Sequence, residues 1–164
     1  MITLKIASIH DEQMIKDYIE AFQLDGETIE GNVGMVQYMA YVDWHFIFSD
    51  SKTDRTHLII HNDIMVGTID FRFDKGRRQI NTLGMIGYAV SPLYRGKGYA
   101  SAALRAGVES YPADVITITC LKTNFASSHV IENAGGILQK EFLFDGEPSL
   151  RYLITKTQNS ESIS

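Results

Sequence analysis

The 164-residue sequence has a single cysteine, Cys120, so no disulfide can form within the chain. That excludes a disulfide-stapled scaffold and suits a reducing compartment, with the cytoplasm as the expected location. Met1 to Gln13 shows no apolar run behind a basic cluster, and no signal peptide is expected. Long apolar runs are also missing. The longest apolar-rich stretch, Met35 to Phe48, is broken by Gln37, Asp43 and His45 and is too short and polar to span a membrane. There is no excess of positive charge. A net charge of −5 gives no general pull toward nucleic acid or an anionic membrane, and neither is expected as a partner. The five histidines lack metal-ligand spacing, so no metal site is expected. Two familiar phosphate motifs are absent as well. Gly96-Lys97 is not followed by Ser or Thr, and Gly96-x-Gly98 continues to Ser101 rather than to a third glycine. A nucleoside-triphosphate loop and a Rossmann dinucleotide turn are therefore disfavoured.

What remains is the profile of a globular chain with a real core, 45% hydrophobic and 21% charged. No internal repeat or linker is visible. One domain is expected over residues 1–156, with a polar, frayed tail over 157–164.

Alternation predicts strands at Ile2–Ile6, Leu58–His61, Met65–Phe73, Leu83–Val90, Val115–Leu121, Leu138–Phe144 and Ser149–Thr155. Asn62-Asp63 and Asp145-Gly146 read as hairpin turns. Asp74-Lys75-Gly76 is a further turn, and Arg77-Arg78-Gln79 begins a loop. Met14, Ile15, Tyr18, Ile19 and Phe22 form the apolar stripe of a helix over Asp11–Phe22. Val33, Val36, Met39, Ala40 and Trp44 suggest one helix face within Glu30–Phe48, and Ser49–Arg55 reads as an exposed loop. Further helices are expected at Gly96–Ser110 and Asn124–Ala134. The strand–helix–strand unit from Leu83 to Leu121 implies a parallel pair with a right-handed crossover. The fold class is thus α+β: one mixed, mostly antiparallel sheet with a central parallel pair and helices on both faces.

The sharpest local signal is Arg95-Gly96-Lys97-Gly98-Tyr99-Ala100, between a strand and a helix. A helix start leaves about four N–H groups without partners and about half a positive charge. Gly96 and Gly98 carry no Cβ, so an anion can approach the backbone. Arg95 and Lys97 add formal charge. These parts suit a diphosphate. A basic, glycine-containing turn before a helix is also a common structural device.

The same segment resembles the signature of the GNAT acetyltransferases, Arg/Gln-x-x-Gly-x-Gly/Ala, filled by Arg95, Gly98 and Ala100. Asn124 to Ser128, with Glu132 to Gly136, resembles the family's Asn-x-x-Ser helix and its closing glycine. Ile86-Gly87-Tyr88 and Arg151 to Ile154 resemble a group of bacterial-type acetyltransferases within the superfamily. The resemblance covers Ile2 to about Thr155. It implies the GNAT fold and acetyl transfer from acetyl-CoA to an amine that the sequence does not identify, and relatives commonly dimerise. By position, it implies that Tyr88, Ala89 and Val90 border the pantetheine arm, with the Val90 amide donating to the thioester carbonyl. Arg95, Gly96, Lys97, Gly98, Tyr99, Ala100 and Ser101 would cradle the diphosphate, and Asn124 and Ser127 would line the cofactor side of the next helix. Tyr88 and Val90 can equally be plain strand core.

Acetyl transfer needs a neutral amine, a stabilised carbonyl oxygen and a thiolate that can leave. An amine of pKa about 10.4 is neutral in about one part in a few thousand at pH 7, so a base must take its proton. Backbone N–H groups at Val90 suit the oxyanion. The family often has a tyrosine acid seven residues after the motif asparagine, and here that position is Ile131, which holds no proton to give. Ser127, Tyr152 and Cys120 are the other candidate acids; Ser127 can instead be a helix-start hydrogen-bonder and Cys120 a small core hydrophobe. For the base, Asp70 stands inside an apolar strand. It reads either as catalytic or as the polar face of an edge strand and a partner for Arg72. Asp43 and His45 flank Trp44 in the region expected to meet the acceptor, where Tyr41 and Phe46 read as an aromatic wall or as core. His129 reads as a solvated surface residue. A non-catalytic acyl-CoA-binding module, supported by Ile131, and a nucleotide-binding domain are the competing readings.

Overall fold

Turn chemistry sets the two hairpins. Asn62 and Asp63 adopt φ values of 48° and 61°, and Asp145 and Gly146 adopt 47° and 80°. These left-handed pairs twist with the strands they join. The computed structural model describes residues 1–49 and 51–157; the expectation for the tail beyond Thr157 lies outside the described residues.

The first sheet runs β1 (Thr3–Ile6), β2 (Asp54–His61), β3 (Ile64–Arg72) and β4 (Ile86–Val90) in that spatial order, antiparallel throughout. The second has β5 (Val115–Leu121) and β6 (Ile137–Phe144) on either side of β7 (Glu147–Thr155). The helices are α1 (Glu12–Leu24), α2 (Tyr41–Phe48), α3 (Arg77–Leu83), α4 (Tyr99–Ser110) and α5 (Phe125–Asn133).

Alternate residues of the first sheet feed two cores. Leu58 packs with Ile15, Tyr18, Val33 and Trp44 from the α1 and α2 layer. Its neighbour Ile59 packs with Ile69, Phe71, Ala103 and Leu104 beneath α4. Each buried aliphatic or aromatic side chain contributes about 1.5–3 kcal/mol. Gly107 lets α4 close on the sheet, since a Cβ there would lie 2.7 Å from Ile69 Cδ1.

The mixed α+β class with helices on both faces of the first sheet is observed, but the expected single sheet with a central parallel ladder is corrected to two sheets. β4 and β5 are linked at their bases, where Met85 N–H donates to Thr117 O at 2.7 Å. Gly84, at φ +73°, allows that approach: a Cβ would stand 3.1 Å from Thr117 O. Beyond Met85 the strands belong to separate ladders, and the space between them becomes a cleft.

Three local expectations change. Residues 30–48 do not form one helix but a 3₁₀ turn at Asn32–Gln37 and then α2. The Asn32 N–H is taken by the Asp70 carboxylate at 3.1 Å, and Gly31, at φ +86°, turns beside it. Arg77–Leu83 is a helix rather than a loop, and it buries no residue, so it has no apolar stripe to read. β2 starts at Asp54, four residues before the apolar pattern, because Thr56 is buried against Asp70 rather than against apolar neighbours.

Candidate functional site

The pairing of β3 with β4 determines where backbone donors point. Arg72 N–H donates to Met85 O and Ser91 N–H donates to Val66 O, both at 2.9 Å. Antiparallel ladders alternate, so the N–H groups of Gly87 and Ala89 also face β3. Those of Tyr88 and Val90 therefore face the cleft toward β5. A strand edge carrying free donors now lines the gap.

The cleft continues to the start of α4. Gly96 and Gly98 take φ values of +76° and +80°, and a Cβ at either would meet nothing within 4 Å. Gly98 precedes the first helical residue, and no side chain caps α4. The first N–H groups of the helix are left for a ligand. This corrects the expected helix start from Gly96 to Tyr99. Gly96, Gly98, Tyr99, Ala100 and Ser101 line a 760 Å³ cavity together with Tyr88, Ala89, Val90, Asn124 and Ser127.

Arg95 lines this cavity too, while Lys97 does not. Arg95 makes a bidentate pair with Glu27, both contacts at 2.6 Å, and its Nε donates to Val90 O. The guanidinium bonds hold the Glu27 carboxyl below its ordinary pKa. The Lys97 ammonium lies over the Tyr94 ring, 5.7 Å from the centroid.

A second cavity of 340 Å³ opens on the other side of the cleft. The two share Glu30, Tyr88, Ala89, Asn124 and Ser127. At this junction Tyr88 Oη lies 2.9 Å from Ser127 Oγ, and burial pushes the Tyr88 phenol up to about 12. Asn124 is the N-cap of α5 and accepts from Ser127 N–H at 3.0 Å. That cap leaves the Ser127 hydroxyl free to meet Tyr88.

The remaining candidates separate. Asp70 borders the 340 Å³ cavity but is 4% exposed, and both its oxygens are engaged, by the Thr56 hydroxyl at 2.7 Å and by Asn32 N–H. Burial raises its pKa. Arg72 does not bond to it but donates Nη1 to Leu83 O and Gly84 O. Tyr152 is placed outside both cavities, with its hydroxyl donated to Glu132 at 3.1 Å. Ile131 is fully buried in the core beneath α4. Cys120 borders the smaller cavity near Ser128, and burial pushes its thiol up. His129 is exposed on the rim of the larger one. Of the two readings of the α2 aromatics, wall or core, Tyr41 and Trp44 take the second. His45 bonds to Ala7 O, and neither these residues nor Asp43 and Phe46 line either of the two cavities described. Sequence reasoning missed Glu30, Glu27 and Arg72. Arg72 alternates with Asp70 on β3, which was the available signal; Glu27 and Glu30 follow Gly26 in an irregular segment and had none.

A splayed pair of sheets thus frames a cleft edged by strand donors, which leads to an uncapped helix start behind left-handed glycines. The acetyltransferase (GNAT) domain family matches residues 11–137, and the chain belongs to that family, whose acetyl donor is acetyl-CoA. Solved structures agree in fold. The microcin C7 self-immunity acetyltransferase MccE, solved with acetyl-CoA and AMP, has a TM-score of 0.74 at 16% identity over 94% of this chain and 92% of that one. The aminoglycoside acetyltransferase AAC(6′)-Ib, solved with coenzyme A, has a TM-score of 0.68 at 16% identity over 95% of each chain. A GNAT acetyltransferase from Bacillus anthracis has a TM-score of 0.67 at 19% identity over 94% of each. No curated protein matches the sequence at a significant level.

Proposed function

We propose that the protein transfers acetyl from acetyl-CoA to a primary amine by direct attack at the junction of the two cavities. The observation that carries this reading is the Tyr88–Ser127 hydroxyl pair standing where the larger cavity meets the smaller. The diphosphate occupies the start of α4, held by N–H groups from Gly96 to Ser101. The pantetheine arm runs beside β4, and Val90 N–H faces the thioester oxygen. The acceptor fills the 340 Å³ cavity.

Glu30 is the exposed carboxylate common to both cavities and takes the amine proton, directly or through water. The amine nitrogen bonds to the acyl carbon as the C–S bond breaks. Tyr88, relayed through Ser127, gives a proton to the departing thiolate. This pair supplies the function that Ile131 cannot. Asp70 is assigned to structure, since its oxygens are already bonded inside the protein. The single cysteine and the net charge of −5 support a cytoplasmic enzyme without nucleic-acid or membrane partners. A second copy of the chain, the homodimer implied by the family resemblance, is read by sedimentation velocity.

Ile131 in the core favours one other reading, a module that binds acyl-CoA without turnover. Thiol release from acetyl-CoA over a broad amine panel decides between them. Glu30→Gln lowers kcat/KM at pH 7 by about a hundredfold if it is the base, and higher pH restores the rate. Tight CoA binding with no release from any amine overturns the transfer reading.

A further inference from the structure

Arg72 has no part in the transfer chemistry above, yet it borders the acceptor cavity. It shares one face of β3 with Asp70, two residues away. The two side chains part company. Asp70 turns to Thr56 and Asn32, while Arg72 crosses β4 to the end of α3. Its Nη1 donates to Leu83 O at 2.9 Å and Gly84 O at 3.4 Å. These bonds lay the guanidinium over Gly87, where a Cβ would stand 3.0 Å from Nη2. Gly87 thus leaves room for the guanidinium. Nη1 is committed to the two carbonyls, and Arg72 has no carboxylate hydrogen-bond partner among the described residues. A planar group held at one corner presents its remaining donors as a fork, a geometry suited to a carboxylate.

Spacing and volume limit the ligand. Gly87 and Val90 are three residues apart on β4, about 10 Å of extended chain. An ion pair takes about 2.8 Å of that span, and a reacting contact takes about 3 Å. About 4 Å is left between anion and amine, the reach of one or two carbons. The 340 Å³ cavity has room for a single amino acid beside Arg72. Leu83, Leu121 and Phe144 give it an apolar wall.

We propose that Arg72 is the anion anchor of the acceptor cavity and that the acceptor is a free amino acid or similarly small amino-carboxylate. Its carboxylate sits on Arg72, and its amine reaches Glu30 and the Tyr88–Ser127 junction. This assignment rests on the transfer site proposed above. The ammonium first loses one proton to solvent; the neutral nitrogen then forms the amide C–N bond as the thioester C–S bond breaks, its second proton going to Glu30 while the thiolate gains one from Tyr88, and water carries the Glu30 proton back to Tyr88.

The test is calorimetric titration of the CoA-saturated protein with the twenty common amino acids, each against its carboxamide. At least one acid is expected to bind about tenfold or more tightly than its amide. Arg72→Met removes that preference and Arg72→Lys keeps part of it, while CoA titration reports that each variant is folded. If Arg72→Met does not fold, the acid-over-amide preference of the unaltered protein stands as the test. Equal binding of acid and amide, a preference that survives in Arg72→Met, or binding of cationic amines alone overturns the anchor. Thiol release separates the two proposals. Bound amino acid without release sinks the transfer chemistry and leaves the anchor standing. Release with diamines alone sinks the anchor and leaves the chemistry.

Discussion

Tyr88 Oη on β4 meets Ser127 Oγ on α5 at 2.9 Å, joining the first sheet to the helix that follows β5. Tyr88→Phe and Ser127→Ala are each expected to lower kcat by about tenfold to a hundredfold. Because they act as one relay, the double variant falls little below either single one. Single-turnover kinetics with a saturating amine reads this. The raised phenol value sets the pH dependence: a group pushed up to about 12 keeps its proton through neutral and mildly basic pH. No fall in kcat is expected on the basic side below about pH 10.

Gly98 and Gly146 share a φ of +80°, and neither has a neighbour within 4 Å of a Cβ. Alanine at either costs about 1–2 kcal/mol in left-handed backbone. That lowers Tm by about 2–8 °C for a chain of this size. Only Gly98 borders the larger cavity. Gly98→Ala should therefore also weaken CoA by about tenfold, while Gly146→Ala should melt lower and bind CoA as before. Equal CoA affinity in both variants would remove the diphosphate from the start of α4.

Glu27 occupies the guanidinium that the family signature offers to the cofactor, with both oxygens 2.6 Å from Arg95. Glu27 lines the same cavity as the α4 start, and under the proposed cofactor placement it would compete with an entering diphosphate. Glu27→Gln is expected to tighten CoA about threefold at pH 7, the scale of one partly exposed pair. The lowered Glu27 pKa fixes the sign: the pair is intact above the usual carboxylate range and is lost as pH falls through the lowered value. Weaker CoA binding in the variant would mean that Glu27 positions Arg95 instead.

Asp70 gives the opposite linkage. Burial raises its pKa, so the native state holds a proton that the unfolded chain releases near pH 3.8. Between that value and the raised one, stability declines as pH rises. Asp70→Asn should flatten this decline, read by urea unfolding at several pH values. The same variant should leave the acidic limb of kcat/KM in place. A limb that moves would return Asp70 to the role of base.

The fold was legible where local chemistry agrees with tertiary packing. Val115–Thr119 is an unbroken run of β-branched residues within the strand Val115–Leu121, which forms β5 as read, and both hairpin turns carry their left-handed residues. The glycine turn before α4 was legible for the same reason. Long-range polar contacts were not. Asp70 reaches 38 residues back to the N–H of Asn32, and no pattern within residues 30–48 announces that break. Helix α3 buries nothing, so periodicity had no purchase on it. Tyr88 and Ser127 were each visible as motif residues, but their hydroxyl contact spans 39 positions and needed the fold.

The bonds around Met85 and Thr117, with Thr119 reaching Thr82 O and Arg151 reaching Asn81 O beside them, make the molecule two half-sheets stitched at one end. Anything lying in the open seam fastens both halves at once and so stiffens a region it scarcely touches. Amide exchange in β6 and β7, remote from the diphosphate turn, should slow when intact acetyl-CoA is present. The nucleotide half alone should shield α4 and leave those strands exchanging as before.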